Sequence, residues 1–374
     1  MTPESIPPSE PAASSVRAFL QRNLWRLVVT NAVLAAMCLM LLTGIGRRTG
    51  DLAGLLLLAV FLGCLIQLIA GVAALFLQGA RLQGAVATLT APVMLVAGLL
   101  GTLSGMGWGR PLRVRGKQVY PQLAQGCDWT LGEQPSPAGL DAPTRAALEA
   151  LWLHDAQKEH ASVPAFARIS WLLAAVGAPA ELMAWSQRAA LEEVDHARRC
   201  FALAAGYGGR SHSVEAMPDL LLAGLEVRGD PLAVLAGESL QDGCQLEDFN
   251  ADVAAACAAV CDEPVTRAVL QQIAREERSH AEFSWALLAW TLERSPATVR
   301  AAVLEAERAL EKLPRPRAAG PNTWFLVARA DAAQLLRHGR IPDDRLAALW
   351  QSRLEATRGR LRSLLAREDA ARAA

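Results

Sequence analysis

Glu193-Val-Asp-His196 and Glu277-Arg-Ser-His280 are the stretches on which the reading of this chain turns. Each is a Glu-x-x-His inside a segment whose apolar residues recur at helical spacing. Three residues is close to one turn of 3.6, so the carboxylate and imidazole of each pair project from one helix face. One helix can then offer two ligands to a single metal centre. A single Glu-x-x-His carries little weight, because Glu and His are both common on solvated helix faces. Two of them, each with a carboxylate one helical hairpin upstream, form a pattern: Glu159 precedes the first and Glu247 the second.

Outward from these pairs, a first helix is expected over 146–176, stopping before Gly177-Ala-Pro179. A second over 180–203 stops at Gly206-Tyr-Gly-Gly209. A loop with Pro218 and Pro231 leads to a third over 232–260, ending near Asp262-Glu-Pro264, and a fourth covers 265–292. Short Pro-bearing turns after helices one and three imply antiparallel hairpins, and the longer stretch between two and three implies a crossover. Accessory helices are expected at about 297–312, 323–337 and 343–368. No strand-like alternation of any length occurs, so the domain is expected to be all-α.

Glu159 and Glu193 are 34 residues apart, and Glu247 and Glu277 are 30 apart. The two arms of each hairpin therefore return to one height, and four carboxylates and two imidazoles can converge in one core. The expected metal ligands are Glu159, Glu193, His196, Glu247, Glu277 and His280. On the third helix Asp242 and Glu238 remain alternatives to Glu247, although Glu238 lies 39 residues before Glu277. Hard oxygen donors with imidazole suit Fe or Mn better than Zn or Cu. Taken singly, each charged stretch also reads as a solvated face with ion pairs. Glu192 and Glu276 immediately precede the ligand carboxylates. Either could hold the opposite histidine's free ring N–H, or pair at the surface. His160 faces about 100° away from Glu159, which suits the surface or an outer supporting role. His212 and His338 sit in turn-like contexts, and Tyr207 falls outside the ligand register.

The composition of the 374-residue chain bounds what surrounds this core. Lys plus Arg and Asp plus Glu are equal at 37 each, which removes the case for general nucleic-acid binding. Seven cysteines, none in a Cys-x-x-Cys, make neither a disulfide framework nor a zinc or rubredoxin-type site. Hydrophobic residues make up 52 % of the chain and are unevenly spread. Residues 1–16, rich in Pro, Ser and Glu, are expected to be disordered. Three uncharged runs follow within 17–109, at about 27–46, 52–80 and 82–109. Each is long enough to cross a hydrocarbon core of about 30 Å. The expectation is three transmembrane helices, with the lipid bilayer as a partner. Arg47, Arg48, Arg110, Arg113, Arg115 and Lys117 outnumber Arg17, Arg22, Arg26 and Arg81 across them, which favours a cytoplasmic bundle. Residues 110–145 read as an ordered linker, 146–295 as the bundle, and 296–374 as accessory helices.

The order Glu159, Glu193-x-x-His196, Glu247, Glu277-x-x-His280 is similar to that of the ferritin-like superfamily of di-iron and di-manganese four-helix bundles. The phrases His160-Ala-Ser-Val-Pro-Ala-Phe-Ala, Asp195-His-Ala-Arg-Arg-Cys-Phe-Ala-Leu-Ala and Ser279-His-Ala-Glu-Phe-Ser-Trp resemble a bacterial group of uncharacterised ferritin-like domain proteins. The resemblance covers roughly 110–370. It implies two Fe ions, with Mn or mixed Fe/Mn as alternatives, and one carboxylate per Glu-x-x-His pair bridging both metals. It leaves the apolar runs unexplained and implies no agreed substrate; joined to those runs, it gives the expectation of an inner-membrane, multi-pass di-iron carboxylate oxidoreductase that activates O₂ or peroxide, acting as a ferroxidase or on a lipid-phase or small substrate. The rival expectation is a non-enzymatic structural or iron-sensing protein. Lacking the rubredoxin cysteines of rubrerythrin, the chain would draw electrons from a separate donor, and a homodimer is compatible with the pattern.

Overall fold

The computed structural model describes residues 110, 112–114, 117–218, 220–221, 227, 229–294, 296–313, 316–320 and 323–373, with isolated positions between 23 and 88. The chain divides into two compact units, 1–104 and 105–374, and the elements below belong to the second. Among the described residues, no helix is long and apolar enough to cross a membrane. That finding overturns the expectation of three N-terminal transmembrane helices, and with it the multi-pass inner-membrane placement. The runs 27–46, 52–80 and 82–109 lie mostly outside the described residues. Run length and hydropathy measure how apolar a stretch is, and they do not establish that it forms one continuous helix. The long helices that are described carry charged residues along their whole length.

Four helical arms surround the core. Helix α1 (Ala142–Ala175) starts where the Asp141 side chain accepts from the Thr144 N–H at 2.7 Å, with proline in its first turn. This is a side-chain cap that satisfies an otherwise orphaned donor. The arm turns at Gly177, whose φ of +65° suits a residue without a Cβ. Helix α2 (Ala180–Gly208) runs back along α1 and closes on Gly209 in the left-handed region. After the crossover, Asp230 caps α3 (Pro231–Glu238). The chain then continues without a break through a π-helical segment (Ser239–Glu247) into α4 (Asp248–Val260). Helix α5 (Pro264–Arg294) returns along this composite arm, and the Glu263 carboxylate accepts from the Thr266 N–H at its start. Beyond it lie α6 (Pro296–Leu310), α7 (Trp324–Val327), α8 (Ala332–Arg337) and α9 (Asp343–Ala373).

The unit is mostly helical but not purely so. Strands β1 (Arg113–Val114) and β2 (Lys117–Gln118) pair antiparallel. Strand β3 (Leu123–Gln125) pairs with β4 (His212–Val214), Leu123 opposite Val214 and Gln125 opposite His212. The second pair stitches the segment before α1 to the crossover. Strands of two or three residues leave too little alternation to read from sequence.

Apolar side chains seal the bundle on both sides of one polar layer. Trp152, Phe201, Tyr207, Phe249 and Trp350 fill one cluster, and Phe166, Leu173, Phe283 and Leu287 fill another. Glu159 lies two helical turns from both Trp152 and Phe166 on α1. Each buried aromatic or aliphatic side chain contributes roughly 1.5–3 kcal/mol. Together they exclude water from the carboxylates between them.

Candidate metal centre

Six side chains meet in that layer in two overlapping groups. Glu159, Glu193, His196 and Glu277 form one, and Glu193, Glu247, Glu277 and His280 the other. Within each group the ligand atoms lie within 4.8 Å of one another, and all six residues are buried. These groups could hold a metal ion. Helix α1 supplies Glu159, α2 supplies Glu193 and His196, the last residue of the π segment is Glu247, and α5 supplies Glu277 and His280. The structure brings neither Asp242 nor Glu238 into the groups. Asp242 pairs with Arg113, and Glu238 pairs with Arg168 at 2.5 Å.

The oxygens of the two shared carboxylates are divided between the imidazoles. Glu193 turns Oε1 toward His280 Nδ1 (3.3 Å) and Oε2 toward His196 Nδ1 (3.6 Å). Glu277 turns Oε2 toward His280 Nδ1 (3.7 Å) and Oε1 toward His196 Nδ1 (4.0 Å). The outer carboxylates each face one histidine: Glu159 Oε2 is 3.9 Å from His196 Nδ1, and Glu247 Oε2 is 4.0 Å from His280 Nδ1.

The far nitrogens of both rings are engaged across the bundle. His196 Nε2 on α2 donates to Glu276 of α5 at 2.7 Å, and His280 Nε2 on α5 donates to Glu192 of α2 at 2.8 Å. A carboxylate can only accept, so each Nε2 carries a hydrogen, and each Nδ1 is the ring nitrogen turned to the carboxylates. Of the two readings open for Glu192 and Glu276, the structure shows the ring-holding one. Gln272 also donates to Glu276 (3.1 Å), Asn250 donates to Glu277 Oε1 (2.6 Å), and the Phe166 ring stands edge-on to His280.

Both oxygens of Glu193 and of Glu247, Oε2 of Glu277, and Nδ1 of His196 and His280 are buried with no hydrogen-bond partner. An unsatisfied buried acceptor costs about 1–3 kcal/mol, so a cluster of them is costly unless a cation answers them together. Burial, then the charges of Glu193 and Glu277, raises Glu159 well above the usual carboxylate range, and burial, then Glu277, does the same to Glu247. Burial also works against the charged form of Glu193, but His196 and His280 outweigh it and hold that carboxyl at about 2. Both imidazoles are raised well above their ordinary value: Glu193 and Glu276 outweigh burial at His196, and Glu192 and Glu193 outweigh it at His280. A cluster that gathers protons in this way is one in which a metal cation can take their place. The donor set of hard oxygens and imidazole nitrogens fits that replacement.

The remaining histidines stand apart from the groups. His160 packs edge-on to Trp129, His212 sits 3.5 Å from Glu149, and His338 Nδ1 meets the buried Tyr207 hydroxyl at 2.9 Å. One participant carries no local signal in the sequence. Arg110, counted there as a charge at the end of an apolar run, is 2 % exposed, with Nε 3.4 Å from Glu247 Oε1 and Nη2 2.5 Å from Ser284 Oγ. No family model, no curated protein and no solved structure matches this chain.

Proposed function

We propose that the chain is a di-iron carboxylate oxidoreductase of ferritin-like type, using O₂ or peroxide as oxidant. The observation that carries this reading is the division of the Glu193 and Glu277 oxygens between the two imidazoles, which suits carboxylates that bridge two cations. Glu159 and His196 would then complete one position, and Glu247 and His280 the other. When bound, the iron pair would supply the redox equivalents and open coordination sites for the oxidant.

The protein's own part is orientation and exclusion. Glu276 and Glu192 fix the imidazole tautomers and ring planes, so that each Nδ1 is presented without rearrangement. Asn250 holds one oxygen of Glu277. Phe166 and Phe283 on one side and Trp152 and Phe201 on the other keep water from competing for the carboxylates. Among the described residues the cysteines are free thiols, and the reductant would be a separate molecule. The substrate class consistent with this closed centre is Fe²⁺ itself or another small reductant.

Elemental analysis of the purified chain, with absorption spectra before and after anaerobic reduction and re-oxidation, tests the reading. The expected result is close to two Fe per chain and a band that bleaches and returns with O₂ uptake. Two bound irons without O₂ or peroxide consumption would favour an iron sensor. No bound metal after anaerobic loading with Fe²⁺ or Mn²⁺ would remove the proposal.

A further inference from the structure

The two ligand groups are alike in their donors and unlike in their surroundings. Beside Glu159, the adjacent cation Lys158 is turned to Asp155 at 2.8 Å. Beside Glu247 stands the buried Arg110, 3.4 Å away. Four contacts fix this arginine. Its Nη2 donates to Ser284 Oγ, its guanidinium lies 4.9 Å from the Phe166 ring centroid, its backbone carbonyl accepts from Ser162 Oγ at 3.0 Å, and its Nε faces Glu247.

The room for the guanidinium comes from Gly243 in the π segment. A Cβ there would collide with the Ser284 side chain and with Arg110 Nη2. The widened, side-chain-free turn thus admits a permanent positive charge to one outer carboxylate and not to its counterpart. Arg110 also walls a cavity of about 130 Å³, shared with Arg113, Arg168 and Gln241.

We propose that Arg110 makes the two halves of the centre unequal, so that the position held by Glu247 and His280 binds a divalent cation more weakly than the position held by Glu159 and His196. The inference rests on the two-cation reading above. Glu193 and Glu277 are common to both positions, Asn250 holds only the Glu277 oxygen that faces His196, and each imidazole is held by one outer glutamate. The charge difference is that Lys158 beside Glu159 is paired with Asp155, whereas the Arg110 guanidinium faces Glu247 itself. That guanidinium stays charged at any working pH, is weakly screened where it lies, repels a cation at that position and draws on the electron density of Glu247. Arg110 is a positioning residue in this account.

Anaerobic titration of the full, metal-free chain with Co²⁺, followed calorimetrically and by absorption, reads the two affinities directly. The expected result is two steps at least about tenfold apart, with Glu247→Gln abolishing the weaker step and Glu159→Gln the tighter. Arg110→Met should strengthen the weak step and close most of the gap, while Arg110→Lys should keep it. If Arg110→Met does not fold, the two glutamine variants alone assign the weak step. Equal affinities in the wild type, an unchanged gap in Arg110→Met, or loss of the tighter step in Glu247→Gln would each overturn the inference. No Co²⁺ binding by the wild type at all would overturn the two-cation reading and this inference with it.

Discussion

The α1–α2 hairpin and the hairpin made by the π-bearing arm with α5 contribute matched ligands, three residues each, from differently built scaffolds. In the first hairpin Glu159 sits on an uninterrupted α-helix. Asp155, one turn away, is held by Lys158 and by Arg340 at 2.6 Å. In the second, Glu247 ends nine residues of π-helix. The next residue, Asp248, is gripped by Arg278 and by Arg353 from α9. The Thr357 hydroxyl of α9 donates to the Cys244 carbonyl inside the π segment. Both arms are therefore braced from the C-terminal part of the chain, the regular helix through Arg340 and the π segment through α9. A wide turn costs ladder regularity and recurs at functional sites; here it makes room for Arg110.

The largest expected effect tests whether the hairpins share their cations. Glu277→Ala should lose both metal ions by elemental analysis, because its oxygens face both imidazoles, whereas Glu159→Ala should lose one. Retention of two metals by Glu277→Ala would break the comparison at its root. Next in size, Gly243→Ala should destabilise the chain by about 2–3 kcal/mol in urea unfolding, as overpacking against Ser284 and Arg110 does. Ala167→Gly, at an exposed position of the regular arm, should cost only about 1 kcal/mol of helix propensity. Glu192→Gln and Glu276→Gln should each weaken one cation position roughly tenfold or more, measured by calorimetric titration, and both positions together only if the halves are strongly coupled.

The smallest effect is confined to the first hairpin. Burial holds the His154 imidazole down to about 4. The unfolded chain takes up that proton near pH 6.5. Between these values the unfolded state binds more protons, so stability should fall as pH is lowered from about 6.5 to 4. The loss is on the order of 1 kcal/mol once partial exposure is allowed for. His154→Phe should flatten that stretch of the stability–pH curve.

The parts of this architecture that were legible in the sequence are those governed by local chemistry. Gly177-Ala-Pro179 and Asp262-Glu-Pro264 mark turns because Gly and Pro act on their own backbone, and α1 ends at Ala175 and α4 at Val260. The i, i+3 spacing of each Glu-x-x-His is a property of a single helix, so its facing could be reasoned without a fold. The π segment could not, because its prop, Thr357, is 113 positions from Cys244. Nor could the burial of Arg110, whose hydrogen-bond partner Ser284 is 174 positions away. The apolar runs before residue 110 mislead in the opposite sense, since hydropathy does not by itself specify a spanning helix.

The reciprocal holding of the two imidazoles has a mechanical consequence. Glu276 of α5 holds His196 of α2 while Glu192 of α2 holds His280 of α5, so the two helices are bolted together twice, in opposite directions. Sliding α2 along α5 by even one residue, about 1.5 Å, would stretch both bolts at once. That degree of freedom is closed. Breathing that admits a small molecule to the carboxylates is then expected at α1 or at the π-bearing arm, which these two bonds do not tie.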